Sequence, residues 1–104
     1  MSVVEDVLDA LADPTRRALL NQLSERGAAT ATVLSSELPI TRQAVVQHLA
    51  VLASAGLVTG DRKGRERWFA VRTDSIAETA RWLDELAAKW DKRLNAIRRI
   101  AEAE

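Results

Sequence analysis

A mainly α chain with a β-hairpin wing, in the order α-α-α-α-β-β-α, is the fold class that three features of the sequence predict. Two amphipathic segments are separated only by Leu38, Pro39 and Ile40, the spacing of a helix-turn-helix. Two extended runs, LVTGDR and RERWFAV, flank Lys63-Gly64, which suits a tight hairpin. From about residue 75 to 102 runs a continuous heptad seam. The combination is a winged helix-turn-helix ending in a long helix.

Each element has a local reason. Val4, Val7, Leu8 and Leu11 stand at i, i+3, i+4 and i+7, which gathers them on one face of a first helix over 3–11. Asp13 before Pro14 suits an N-cap followed by the first helical position, where the missing proline N–H costs nothing. Leu19, Leu20 and Leu23 form the apolar face of the second helix, and Gly27 ends it. Thr30 caps a short third helix with Val33, Leu34 and Leu38 turned inward, and Pro39 stops it. Thr41 starts a fourth, in which Val45, Leu49 and Leu52 share a face and Gly56 supplies the left-handed stop.

Beyond Gly56 the period turns extended, with the hairpin turn expected at Lys63-Gly64 and the positive φ at Gly64. The short first strand of a winged helix has to come from about Ala28-Ala29. Thr73, Asp74 and Ser75 offer caps for the last helix, and Ser75 with Glu78 fits a capping box. In that helix Ile76, Ala80, Leu83, Ala87, Trp90, Leu94, Ile97 and Ala101 alternate at spacings of four and three. It runs about 40 Å, longer than a compact domain of this size is wide. A second apolar line, Trp82, Leu86 and Ile100, widens the stripe. The simplest arrangement buries one line on its own domain and the other against a second subunit.

Composition sets the outer bounds. At 104 residues, 47% apolar and 29% charged, the chain has the balance of one globular domain, expected over 1–104, that buries about 65% of its unfolded surface. No apolar run can span a bilayer, and the start MSVVEDVLDAL lacks a basic, then apolar, signal sequence, so a cytoplasmic location is expected. Without cysteine and with a single histidine, neither a thiolate metal site nor a multi-histidine cluster can form within one chain; no metal or other cofactor is expected. Fifteen basic residues balance fifteen acidic ones, yet the charges are segregated. Residues 1–15 hold Glu5, Asp6, Asp9 and Asp13 and no basic residue, whereas residues 38–72 hold Arg42, Arg62, Lys63, Arg65, Arg67 and Arg72 against Asp61 and Glu66. Screening over roughly 8 Å makes such a local patch count for more than the total.

The stretches ALADPTRRALLNQL, TRQAVVQHLAVLASAGLV and DRKGRERWF resemble the ArsR/SmtB family of small bacterial winged-helix repressors, in an order that covers about residues 5–73. The resemblance implies a homodimer, formed by the first and last helices, that binds a palindromic operator, represses transcription and often controls its own promoter. The division it implies is 1–12 and 75–102 for dimerisation, 30–55 for the helix-turn-helix and 57–72 for the wing. Two departures stand out. The family's metal sensors keep cysteines on the helix before the recognition helix, or histidines and carboxylates on the last helix. Here TATVLSSEL has no cysteine and the last helix no histidine, so those sites are not carried over. The family also usually has a serine where this chain has Val46.

In this architecture the second helix of the motif enters the major groove, its N-terminal half nearest the bases. A 100° step per residue from the core face places Gln43, Gln47 and Ala50 opposite it, with Thr41, Arg42 and Val46 at the entrance or flank. Gln43 or Gln47 can pair with adenine, Arg42 with guanine or a phosphate, and Val46 with a thymine methyl; the competing reading is a cap and a solvated face. His48 either donates to a phosphate or packs at the helix edge. Arg62, Lys63, Arg65 and Arg67 suit backbone or minor-groove contact from a hairpin tip, and equally protect an edge strand from pairing. Trp68 and Phe69 point to opposite faces, one of them into the core, so Trp68 can stack on a base or pack. Arg16 and Arg17 are expected to pair with the acidic first helix.

The candidate dimer interface comprises Val4, Leu8 and Leu11 with Trp82, Leu83, Leu86, Trp90 and Leu94, of which Trp82 and Trp90 can alternatively line a ligand pocket. No nucleophile with a base, carboxylate pair with a histidine or Gly-rich phosphate loop is present, which argues against an enzyme. The expected function is that of a sequence-specific, DNA-binding transcriptional regulator, a homodimeric repressor. The alternative is a winged-helix module that docks on a protein, although such a module does not need four cations on its wing. A small-molecule effector at the dimer interface remains open.

Overall fold

The computed structural model describes residues 2–103. Helices α1 (Val3–Leu11), α2 (Pro14–Arg26), α3 (Ala31–Glu37) and α4 (Arg42–Ser54) are followed by strands β1 (Val58–Lys63) and β2 (Glu66–Val71) and by helix α5 (Asp74–Glu102). This is the predicted winged helix-turn-helix, with α3 and α4 as its motif.

Side-chain caps start four of the five helices. Ser2 Oγ accepts from the Glu5 N–H, Asp13 Oδ1 from the Thr15 N–H at 2.7 Å, Thr30 Oγ1 from the Val33 N–H and Thr41 Oγ1 from the Ala44 N–H at 3.1 Å. Each satisfies an N–H that the first helical turn leaves without a partner. The exit of α4 is a Schellman motif, with Leu57 N–H bonded to the Leu52 carbonyl at 2.9 Å and Gly56 N–H to that of Ala53 at 3.0 Å. Gly56 takes φ 75° to close it.

One core joins α1 to the hairpin. Val7 and Ala10, Leu19, Leu20 and Leu23, Leu34, Val45, Leu49 and Leu52, then Leu57 and Val58 are buried together. Phe69, Val71 and Ile76 pack on its edge. The expected first strand is a single bridge, in which Ala29 and Phe69 exchange both backbone hydrogen bonds at 3.0 and 2.9 Å.

Four expectations need correction. The hairpin turn is Gly64-Arg65, one residue later than Lys63-Gly64, because Lys63 pairs with Glu66 and Gly60 with Phe69. Of these two turn residues Gly64 alone has positive φ, the φ pattern of a II′ turn. Ser75 heads no capping box: it lies inside α5, whose N-cap is Thr73, and its hydroxyl donates to the Gly56 carbonyl at 3.4 Å. Arg16 and Arg17 do not pair with the acids of α1. Arg16 Nε and Nη2 donate to the carbonyls of Ala10 (2.7 Å) and Asp9 (3.0 Å), and Arg17 Nη1 to that of Leu11 (2.6 Å). They cover the carbonyl end of α1, where helix geometry leaves acceptors open and the dipole favours cations.

The fourth concerns α5. Neither apolar line is buried along its length on the same chain. Ile76 and Thr79 are covered near the start, where α5 packs beside α1, and Leu86 is half-buried. The rest projects, giving dimensions of 70 × 25 × 25 Å and a radius of gyration of 18.8 Å, against about 13 Å for a compact chain of this length.

Candidate nucleic-acid interface

The exposed side of α4 is built by what its other side buries. Val45, Leu49 and Leu52 are fully buried, so helical periodicity turns Arg42, Gln43, Val46 and Gln47 outward, and all four are exposed. Val46 is 43% exposed, an apolar side chain in the middle of a polar face. Thr41 is exposed, with its hydroxyl oxygen accepting from the Ala44 N–H. Arg42 is held by its Nε donating to Thr32 Oγ1 at 3.2 Å, a bond that ties the first turn of α3 to that of α4.

His48 is half-buried and lies within electrostatic reach of Asp13, the cap of α2. Desolvation raises the pKa of the Asp13 carboxyl, but the Thr15 and Arg16 N–H groups and the positive charges of Arg16 and His48 outweigh it. The net effect holds the group below its usual range.

Arg62, Lys63, Arg65 and Arg67 are all exposed on the hairpin. The register pairs Arg62 with Arg67 and Gly60 with Phe69, and paired residues share a face. Arg62 and Arg67 therefore lie on the face that carries Phe69 to the core, while Lys63 belongs to the other. Trp68 is half-buried on that second face.

Between α4 and the hairpin lies a cleft of about 590 Å³, lined by residues 30–33 of the α3 start, by Arg42 and Val46, and by Arg62, Arg65, Glu66, Arg67 and Phe69. It brings Arg42, Val46, Arg62, Arg65 and Arg67 of the expected set to one place. Thr41, Gln43, Gln47, His48 and Lys63 do not line it. Four guanidiniums face one carboxylate there, so the cleft favours anions.

Sequence reasoning missed Thr32 and Gly60. Thr32 gives no signal by itself, since its bond to Arg42 spans ten residues. Gly60 does, because a glycine inside a strand marks a close approach.

The apolar residues set aside for an interface lie on a second surface. Leu8, Trp82 and Leu83 are exposed, as are Trp90 (56%), Leu94 (59%), Ile97 and Ile100 (68%), whereas Val4, Leu11 and Leu86 are half-buried. Trp90, Arg93 and Leu94 line a shallow apolar depression that does not include Trp82. Among the described residues no helix is long and apolar enough to cross a membrane.

A capped helix-turn-helix whose second helix leaves one face exposed, followed by a cationic hairpin, defines the winged helix-turn-helix class. A family profile described as a helix-turn-helix domain matches residues 11–61. The uncharacterized HTH-type transcriptional regulator YuzN of Bacillus subtilis is 48% identical over 67 residues, 59% of this chain and 73% of YuzN. The transcriptional repressor SdpR of the same organism is 28% identical over 88% of this chain and 100% of its own length. The solved structure of an ArsR-like transcriptional regulator from Rhodococcus sp. RHA1 matches with a TM-score of 0.85 at 38% identity, over 95% of this chain and 92% of that one. The chain belongs to the ArsR/SmtB family of winged helix-turn-helix transcriptional regulators, which are DNA-binding proteins and not enzymes.

Proposed function

We propose that the protein is a homodimeric repressor that binds a palindromic operator, that of its own promoter included. The observation that carries this is the face formed by α4 and the hairpin, on which Arg42, Arg62, Arg65 and Arg67 flank exposed Val46. Thr41, Arg42, Gln43, Val46, Gln47 and His48 form the recognition-helix part of the DNA surface, and Arg62, Lys63, Arg65 and Arg67 its wing. Gln43 and Gln47 suit adenine and Val46 a thymine methyl, while the wing arginines suit phosphates or a narrow minor groove.

The second subunit covers the apolar residues that one chain leaves in water. Val4, Leu8 and Leu11 of α1 and Trp82, Leu83, Leu86, Trp90 and Leu94 of α5 form this interface, with heptad spacing suited to helix pairing. The chain divides accordingly into dimerisation helices at 1–12 and 75–102, a helix-turn-helix at 30–55 and a wing at 57–72. Such an interface also offers a place where a small effector biases the DNA-binding form.

Fluorescence anisotropy with labelled duplex from upstream of the gene, beside a scrambled duplex at two salt concentrations, tests the reading. Preference for the upstream DNA is expected. If a dimer neutralises about six to ten phosphates, affinity falls by about three to five decades between 50 and 200 mM salt. No binding to either duplex at low salt overturns the reading in favour of a protein-docking module.

A further inference from the structure

Gly60 stands in the middle of β1 without a positive φ, so its backbone does not require glycine. The constraint comes from two neighbouring side chains. A Cβ added at Gly60 would lie 2.6 Å from Arg67 Nε, 3.2 Å from Arg67 Nη2 and 2.9 Å from Phe69 Cε1. Arg67 therefore lies back across the hairpin over the bare Gly60 backbone, with its guanidinium carbon 5.8 Å from the centroid of the Phe69 ring. That is stacking range for a cation on an aromatic face.

The stacked group lines the cleft between α4 and the hairpin, as does Arg42, which its bond to Thr32 Oγ1 restrains. One guanidinium thus comes from the recognition helix and one from the wing, each restrained by an interaction within the chain. A planar guanidinium suits phosphate oxygens, and a side chain ordered in advance loses less entropy when it binds. We propose that this cleft is a preformed seat for a backbone phosphate of duplex DNA, and that Gly60 is a positioning residue that lets Arg67 fold onto Phe69 to complete it. The proposal rests on the DNA-binding reading above.

The test is a double-mutant cycle on the full chain, by anisotropy with upstream and random-sequence duplexes. Gly60→Ala is expected to weaken binding to both duplexes alike, by roughly two- to tenfold for each protomer that must order Arg67 on binding. Arg67→Ala should weaken both further and lower the slope of log affinity against log salt by about 0.9 for each phosphate no longer neutralised. Added to Arg67→Ala, Gly60→Ala should change nothing more. Arg67→Lys keeps the charge but not the planar group, and is expected to weaken binding as Gly60→Ala does, with the salt slope kept.

Wild-type affinity in Gly60→Ala overturns the proposal, and so does an equal loss with and without Arg67, which marks a merely structural role. Wild-type affinity in Arg67→Lys overturns it too, whether or not Gly60→Ala is stable enough to assay. Failure of the unaltered protein to bind either duplex sinks the DNA-binding reading along with it. Binding by the unaltered protein without coupling between Gly60 and Arg67 sinks this proposal alone.

Discussion

The Ser75 hydroxyl donates to the carbonyl oxygen of Gly56 at 3.4 Å and occupies the space that a Gly56 side chain would need, its Oγ falling 2.5 Å from an added Cβ. The contact joins the exit of α4 to the first turn of α5. It ties the helix proposed to read DNA to the helix proposed to form the dimer.

Gly56→Ala should therefore destabilise the fold on two counts. At φ 75° an L side chain costs about 1–2 kcal/mol, and Ser75 must also move. Thermal unfolding at fixed protein concentration, needed because association shifts the midpoint, is expected to show a Tm several degrees below wild type. A Tm equal to wild type would mean that the Schellman turn relaxes without cost. Ser75→Ala removes only the long hydrogen bond and should lower the Tm less.

Asp13 links stability to pH. Its pKa is depressed in the folded protein, because the hydrogen bonds and the charges of Arg16 and His48 outweigh desolvation. A carboxylate with a depressed folded pKa contributes stability that is present above its unfolded value, near 3.9, and is lost as pH falls through the lower folded value. Asp13→Asn keeps a capping side chain but cannot ionise. Urea midpoints of wild type and Asp13→Asn should thus differ at neutral pH, with wild type the more stable, and converge below about pH 4. A constant gap across that range would show that the ionised form carries no advantage.

How much was legible depended on how far apart the deciding residues stand. Asp13-Pro14, Thr30, Thr41 and the inward lines of α2 and α4 were readable because caps and periodicity act within one or two turns. The hairpin was legible but its turn slipped by one, since Gly64 satisfies either position of a two-residue loop. The strand register, which pairs Lys63 with Glu66 and Gly60 with Phe69, decides between them. Ser75 fits a cap by sequence, but its hydroxyl donates to the carbonyl of Gly56, nineteen residues away. The sequence shows the charges of Arg16 and Arg17 but not the bend after α1 that aims them at carbonyls. In the cleft, the residue types of Arg42, Val46 and Arg67 were legible. The bond to Thr32 and the stack on Phe69 were not, because both cross between elements.

The two halves of the proposed DNA surface should fail differently. Gln43 is exposed on α4 and uncharged, so Gln43→Ala is expected to cost about 1–3 kcal/mol against the preferred base at one position and little on random DNA. Arg65 sits in the hairpin turn, and Arg65→Ala should weaken binding to every sequence and lower the salt slope by about 1 for each phosphate it neutralises. Competition binding against single-base operator variants separates the two. An equal loss on operator and random DNA for Gln43→Ala would remove it from the base-reading set.

Leu83 tests the dimer. It is 45% exposed on one chain, lies on the heptad line of α5 and is not among the residues packed on that chain's own core. Leu83→Glu should leave the monomer fold intact and place a carboxylate in the proposed seam, where burial without a partner is costly. Static light scattering is expected to give the monomer mass, about 11.4 kDa, for the variant and twice that for wild type. DNA affinity should fall with it, because two half-sites can no longer be held by one particle. A variant that stays dimeric moves the interface off this face of α5, whereas a monomeric variant with undiminished affinity separates DNA binding from dimerisation.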